Sequence, residues 1–515
     1  MADEKTPTVA IDGSDKSTPI TTLPSKDLDE TYDVYAQENP AAIDPCEARH
    51  VLRSIDWHIL PLLMGSYMLQ YLDKSSINFA SVYGLQTGTH LHGQQYAWLA
   101  SIFYFGYLVA QYPAGYLLQR YPAGRFLGGS MIGWSILLLT TPACHNFAGI
   151  ATNRFLLGVT EAVINPGFVL IMSMWYTRDE QPLRLVAYYC MNGVAGIFGG
   201  LLGYAIGHIT TGLAQWQYVF LIFGAVSFVW AIVFLVFMPD LPTTTRFLSR
   251  RETVVAVERV ATNHQGVKNH HFKTYQLWQT LRDPKTWILF FMSIAAQIPN
   301  SALSSFTSII LQTFGFTALQ TQYMQIPGSV IQIVSLLASG YICSRWPNMR
   351  CLVMFVGNII CVIAAGVLVG LDPGPDGKGN KWGRLVAVWL LSFISVGFSL
   401  SLTMVSSNVA GYTKKQLTGA FVFVGYCVGN IIGPQTFRAS EAPLYHSAYV
   451  AILIGFSFKT IGGLVLYGYM WAVNKKRDRA AAADPRTPEE RAQNAVEKGM
   501  RDITELDNED FRYAL

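Results

Sequence analysis

Charge is scarce in this chain. Only 14% of its 515 residues are Asp, Glu, Lys or Arg, against about 25% in soluble domains. A soluble protein of this length would present a large surface, and charge is what normally solvates it. The shortage argues against an ordinary cytosolic enzyme, a nucleic-acid-binding protein and a disordered chain. Cysteine is sparse as well. The seven residues Cys46, Cys144, Cys190, Cys343, Cys351, Cys361 and Cys427 are odd in number and form no CxxC pair, so they indicate neither a disulfide framework nor a zinc site. The sequence has no P-loop and no N-x-S/T sequon, and no HExxH or GxSxG in a suitable setting. ATP-driven transport and membrane-bound catalysis therefore lack support, and no cofactor or metal is expected.

What is there in abundance is apolar sequence. No charged residue occurs in 75–119, 126–153, 185–239, 286–344, 351–371, 385–413 or 416–437. A helix needs about 20 apolar residues to cross a bilayer, and the longest runs suffice for two crossings each. Continuous runs rather than short alternating ones exclude a barrel. The reading is an all-α membrane protein of about twelve transmembrane helices in two six-helix bundles. The spans fall near 58–81, 96–117, 126–143, 149–174, 185–208, 217–238, 286–311, 321–342, 351–371, 385–408, 416–437 and 447–472. Residues 1–50 read as a disordered acidic tail, with eleven acids against three lysines in 1–47. It lacks the basic start and apolar core of a signal peptide. The bundles occupy 51–239 and 286–473. Between them lies a linker, 240–285, whose segment Ser249–Ala261 suggests a short helix on the membrane surface. Residues 474–515 form a second tail.

Lys and Arg set the orientation. The links 83–95, 144–148, 209–216 and 312–320 have neither, whereas the alternating links carry Arg120 and Arg125, Arg178 and Arg184, Arg345 and Arg350, and Lys414 and Lys415. Both tails and the linker are thus expected in the cytoplasm. The link 372–384, with Lys378, Lys381 and Arg384, breaks the alternation. An internal repeat supports the six-plus-six division: GYLLQRYPAGR at 115–125 and GYICSRWPNMR at 340–350 share Gly, Tyr, Arg, an aromatic, Pro and Arg at identical spacing. Equal signals after the second and eighth spans imply duplicated bundles.

That repeated link resembles the loop motif of the major facilitator superfamily, although the usual acid is Gln119 here and Pro122–Ala123 lengthens the turn. The segments YLDKSSINFA (71–80), RFLLGVTEAVINPGF (154–168), PDLPTTTRFLSRRE (239–252) and GPQTFRASEAPLY (433–445) are similar to the fungal allantoate-permease-like branch of the anion:cation symporters. The resemblance covers about residues 50–475. It implies a monomeric secondary transporter, in the plasma membrane, for allantoate, a vitamin such as nicotinate or pantothenate, or another small organic anion. It also implies that Arg120, Arg125, Arg345 and Arg350 lie in gating loops.

Ionisable groups within a bilayer are costly and usually face the bundle interior. Arg154, Gly158, Glu161 and Asn165 are spaced 4, 3, 4 and share one face of span four. Asp73 and Lys74 lie in span one at a depth near that of Arg154. The reading pairs Asp73 with Arg154, gives Arg154 the substrate's negative charge to neutralise, and gives Glu161 the coupled proton, since a buried carboxyl can exchange one near working pH. Lys459 lies in the last span, which the resemblance to the superfamily implies is peripheral, and is assigned a structural role. Asn192, Gln297, Asn300, Gln332, Asn408, Asn430 and Gln435, with Tyr104 and Gln111, complete the expected cavity. Pro299 would loosen span seven. Trp57, Trp98, Trp216 and Trp471 read as an interfacial belt. Glycine stripes at 196, 200, 203 and 207, and at 425, 429 and 433, permit close helix approach. The expected activity is proton-coupled uptake of a small organic anion by alternating access, and no enzyme chemistry. Efflux of a metabolite or drug is the first alternative, weakened because NGVAGIFGGLLG (192–203) lacks the proline of drug–proton antiporters. A non-transporting nutrient sensor is the second.

Overall fold

The computed structural model describes residues 44–515 except 178–179, 243–244, 246, 262–272, 347–348, 373, 375–378, 483–485, 488–489, 492–493 and 495–502. The acidic tail up to residue 43, Arg178, Lys378 and the side chain of Gln119 lie outside the described residues.

The described residues form helices and no strands. The amphipathic α1 (Pro45–His58) precedes the first crossing, α2 (Leu60–Ala80). The N-terminal half continues with α3 (Gln95–Arg120), α4 (Ala123–Thr140), α5 (Phe147–Glu161), α6 (Ile164–Trp175), α7 (Gln181–Ile206) and α8 (Gln215–Phe237). Linker helices α9 (Arg250–Ala261) and α10 (Thr274–Arg282) follow. The second half contains α11 (Pro284–Thr313), α12 (Ala318–Tyr323), α13 (Ile326–Arg345), α14 (Arg350–Gly370), α15 (Lys381–Leu390), α16 (Ile394–Asn408), α17 (Tyr412–Gln435) and α18 (His446–Ala482).

Among the described residues, ten elements are long and apolar enough to cross a bilayer, counting α5–α6, α12–α13 and α15–α16 as one each. The remaining two crossings are α2 and α3, whose polar residues, among them Gln70, Asp73, Lys74, Asn78 and Gln111, lower their hydropathy. Twelve crossings result. Two of the interrupted spans break at a proline. The ring of Pro166 opposes a bond to the carbonyl of Ala162, and that of Pro327 opposes one to Tyr323, so the helix restarts just before each proline. Pro299, expected to loosen span seven, leaves α11 a continuous helix through Thr313.

The halves repeat one packing scheme. In the first, α2 packs on α7, α3 on α5, and α4 on α8; in the second, α11 packs on α17, α13 on α15 and α16, and α14 on α18. The halves meet through α3 against α17 and α7 against α13. Glycine makes these approaches possible. A Cβ on Gly106 would lie 2.1 Å from the carbonyl oxygen of Phe155, and one on Gly158 would lie 2.0 Å from that of Phe103. The two glycine stripes serve different interfaces. Gly425, Gly429 and Gly433 face the α11 backbone within one half, whereas Gly196, Gly200 and Gly203 face Ser329 and Gln322 across the halves.

Two expectations about the periphery change. The α9 helix is present, but its Val255, Ala256 and Val257 are buried and it packs on α1 and α6, fixed by Arg251–Glu47, Arg259–Glu180 and His50–Glu252 contacts. It rests on protein because its apolar residues find a partner there. Trp216 is 2% exposed and covers Gly88, so it belongs to the core rather than to a belt. Trp57, Trp98 and Trp471 are exposed.

Candidate functional site

Two adjoining cavities, of about 80 and 120 Å³, lie between the halves. They share Tyr71, Asn300, Gln332, Ile394 and Ser395. Every helix pair at the interface contributes: α2 supplies Gln70, Tyr71 and Lys74; α3 supplies Tyr104 and Tyr107; α7 supplies Tyr189 and Asn192; α11 supplies Gln297 and Asn300; α17 supplies Tyr426. Lys74 is the one charged residue among those lining either cavity. Its ammonium lies 5.5 Å from the ring centroid of Tyr71 and 5.7 Å from that of Tyr104. A cation held over aromatic faces keeps its charge partly stabilised and open to an anion.

Behind this wall sits a buried charge cluster. Glu161 is fully buried, neither carboxylate oxygen has a hydrogen-bond partner among the described residues, and it lies in the field of Asp73, Lys74 and Arg154. Two acids and two bases balance formally. The direct Asp73–Arg154 pair expected from depth is absent. Asp73 Oδ2 accepts instead from Ser227 Oγ at 2.5 Å and Trp134 Nε1 at 3.1 Å. Arg154 Nη2 donates to Ser76 Oγ at 3.2 Å, and its guanidinium lies 5.5 Å from the Phe220 ring centroid. Ser76 in turn donates to the Asp73 carbonyl at 2.6 Å, so a hydroxyl links the two residues where an ion pair was expected. Arg154 lines neither cavity. Equal depth did not decide the pairing, because α4 and α8 bring donors to Asp73 first.

The uncharged candidates divide three ways. Asn192, Asn300, Gln297, Gln332 and Tyr104 line the cavity. Gln332 Nε2 donates to Ser395 Oγ at 2.7 Å, and Asn192 Oδ1 is buried without a partner among the described residues. Asn165 and Asn430 stand one layer back: Asn165 Nδ2 donates to the Tyr107 hydroxyl at 2.8 Å, and Asn300 Nδ2 donates to Asn430 Oδ1 at 3.3 Å. Gln111 Oε1 is buried without a partner among the described residues, and Gln111 does not line the cavities. Asn408 leaves the site altogether, at the end of α16 bonded to Ala514. Lys459 is buried in α18, its Nζ without a hydrogen bond and directed at the space beside Gly397 and Asn358.

The cavity is sealed on the side away from the tails. Tyr96 donates to the Ser305 carbonyl at 2.7 Å and meets Phe306 edge-on, while Phe306 stacks on Phe437 with centroids 4.2 Å apart. Asn78 Nδ2 donates to Gln325 Oε1 at 3.0 Å, Gln94 Nε2 to the Phe437 carbonyl at 2.8 Å, and Gln435 Nε2 to Ser101 Oγ at 2.9 Å. Gln435 is thus part of this seal rather than of the cavity. On the tail side Tyr107 meets Phe423 across the halves with centroids 5.6 Å apart, and a Cβ on Gly340 would lie 3.7 Å from a Val186 methyl. The four loop arginines stay within their own halves. Arg125 pairs with Asp240 at 3.2 Å, Arg350 donates to Ser407 at 2.7 Å, Arg120 lies over Tyr116, and Arg345 is exposed.

The aromatic wall was not foreseen beyond Tyr104. Tyr67, Tyr71, Tyr107, Tyr189 and Tyr426 all line the cavity. Their signal is the frequency of tyrosine, 26 residues in the whole chain, many of them inside otherwise apolar spans.

Known proteins match this architecture. The sequence profile described as Major Facilitator Superfamily fits residues 63–434. An uncharacterised transporter of Schizosaccharomyces pombe is 38% identical over 95% of this chain and 92% of its own. The allantoate permease of Saccharomyces cerevisiae is 31% identical over 95% and 91%, and a thiamine pathway transporter of the same yeast is 31% identical over 90% and 86%. A crystal structure of a bacterial homologue of the lysosomal transporter Spinster superposes with a TM-score of 0.55 at 13% identity, covering 82% of this chain and 97% of that one. The chain is a membrane transporter of the Major Facilitator Superfamily, in the fungal allantoate-permease-like branch.

Proposed function

We propose that the cargo is a small organic anion taken up together with protons. The observation that carries this reading is Lys74, the single charged residue lining the cavities, set among tyrosines and amides. A carboxylate bound there gains a charge-assisted contact in a region of low dielectric, and the amides of Asn192, Asn300 and Gln332 offer donors for its remaining polar atoms. This moves the substrate's cation from Arg154 to Lys74.

Coupling follows from competition for one positive charge. Lys74 and Glu161 lie in each other's field. An anion drawn to Lys74 removes part of the compensation that Glu161 enjoys, and a buried carboxylate losing its counter-charge takes up a proton. Anion and proton then bind with positive coupling, which is reciprocal by linkage. Release of one favours release of the other after the halves rock. The yeast allantoate permease makes allantoate the first cargo to try, with the carboxylates nicotinate, pantothenate and ureidosuccinate beside it. Uptake at the plasma membrane, cytoplasmic tails and a monomeric transporter complete the proposal.

The test is accumulation of radiolabelled allantoate, nicotinate, pantothenate and ureidosuccinate in vesicles holding the purified chain, with the interior alkaline. Accumulation of one of them that collapses with the gradient supports the reading. Accumulation only with the gradient reversed would establish efflux instead, and indifference to every anion would overturn the assignment.

A further inference from the structure

In the N-terminal half, Asp56 at the head of the first crossing holds Arg184 at the head of α7 by two hydrogen bonds, of 2.7 and 2.6 Å. The repeat places the same device in the second half: Asp283, capping α11, reaches Lys414 in α17 at 2.8 Å. The copy is unbalanced. Lys285, 1% exposed, lies 3.5 Å from the same Asp283, so two buried lysines share one carboxylate. One positive charge is left over, and a buried uncompensated charge is strongly unfavourable.

Residues 503–515 supply the missing charge. This stretch folds back beneath the second half and inserts Glu505, which is fully buried, between the two lysines. Glu505 accepts from Lys285 Nζ at 2.7 Å and pairs with Lys414. Its second oxygen accepts from the Ala410 amide at 2.9 Å. Asn408 and Ala514 exchange two bonds, of 3.0 and 2.7 Å, and Asn474 exchanges two with Tyr513, both 2.9 Å. Arg477 donates to the carbonyls of Phe511 and Glu505.

These contacts converge on one mechanical point. Residues 409–411 join α16 to α17, and Gly411 there has a φ of +85°, a conformation few residues but glycine adopt. The methyl of Thr504 and the amide of Gln276 fill the space beside it. Through this terminal strap the joint is tied to α18 by Asn474 and Arg477, and to α10 by the Thr504 hydroxyl, which donates to Gln279 Oε1. Closing the tail side of the cavity requires the tail-side ends of α16 and α17 to approach the other half.

We propose that residues 503–515 are an intramolecular latch that holds the α16–α17 joint outward and slows passage to the state open on the far side. The strap is then a brake on cycling, and the Lys285–Lys414–Asp283 nest is its receptor.

The test needs no cargo. Ser304, which lines the cavity near the far-side seal, is changed to Cys, and its labelling by a membrane-impermeant maleimide from the far side is compared with the chain lacking that change. It is repeated with Glu505→Gln, with Asn474→Ala, and with residues 503–515 removed, each checked for a single folded species by size exclusion. Labelling at least ~5-fold faster in Glu505→Gln, with a smaller rise in Asn474→Ala, is expected from the loss of an interaction of about 1 kcal/mol. Unchanged or slower labelling in folded variants would overturn the latch. If the shortened chain fails to fold, the two point variants decide.

Discussion

The Lys74 ammonium rests 5.7 Å from the centroid of Tyr104 on the neighbouring helix, and this pairing turns a membrane-buried cation toward the cavity. Lys74→Met keeps the length and apolar stem but removes the charge. A hydrogen bond to a charged group is worth ~1.5–3 kcal/mol, so anion uptake should fall by ~10-fold to ~100-fold at limiting substrate. Initial rates in vesicles, normalised to folded protein, measure this. Lys74→Arg should retain part of the activity; equal rates for Met and Arg would remove charge from the explanation.

Glu161 separates binding from energisation. In Glu161→Gln the competition for the Lys74 charge disappears, and the anion meets an uncontested cation. Exchange of labelled for unlabelled anion across the membrane should persist, while acceleration by an inward proton gradient should vanish. A variant that still concentrates anion under the gradient would place the proton elsewhere.

Asp73 predicts a stability effect distinct from transport. Its carboxylate satisfies Trp134 and Ser227, both buried. Asp73→Ala leaves two donors without acceptors, at ~1–3 kcal/mol each, and should lower the thermal midpoint in detergent by several degrees. Trp134→Phe made in the Asp73→Ala background should cost less than in the parent chain. Strict additivity would mean that the bond contributes nothing.

Much of this was legible in advance. Charge gaps located the twelve crossings, and the repeat at 115–125 and 340–350 gave the two halves. Lys74 and Glu161 could be named because a charge in an apolar run is conspicuous. Their partners could not. Trp134 and Ser227 look like ordinary span residues until α4 and α8 pack on α2, and helix rotation is set by packing rather than by composition. Asn408 failed for the same reason: in-span depth does not tell which neighbour claims an amide. In the sequence the tail shows only charge beyond the last span, since the lysines that bury Glu505 lie more than 90 residues upstream.

The latch also carries a pH signature. Burial pushes the Glu505 carboxyl up, but Lys285 and Lys414 outweigh it and hold it below the usual carboxylate range. Asp283, Tyr513 and Arg477 face the same group. A depressed value means the strap's contribution is complete above the ordinary glutamate value of ~4.5 and is lost as pH falls through the lower, docked value. Proteolytic clipping of residues 503–515 should therefore be slow and flat from pH 8 to pH 5 and faster only in stronger acid. Clipping that rises between pH 7 and 6 would require a different titrating group.

The two glycine stripes give a final contrast. A Cβ on Gly200 would lie 2.7 Å from the Gln322 carbonyl oxygen in the opposite half, and one on Gly429 would lie 2.4 Å from the Ile294 carbonyl oxygen in its own half. A wedge between halves acts on the state sealed on the far side and is relieved when that side opens. A wedge within a half acts on both states. Gly200→Val should thus shift the population toward the far-open form by ~5-fold to ~150-fold, from an overpacking cost of ~1–3 kcal/mol. Gly429→Val should lower thermal stability and leave the populations alone. Far-side labelling at Ser304→Cys, read beside the thermal midpoint, distinguishes them: Gly200→Val speeds labelling with a small change in midpoint, and Gly429→Val does the reverse. Were both variants to behave alike, the interface between α7 and α13 would not be the sliding surface.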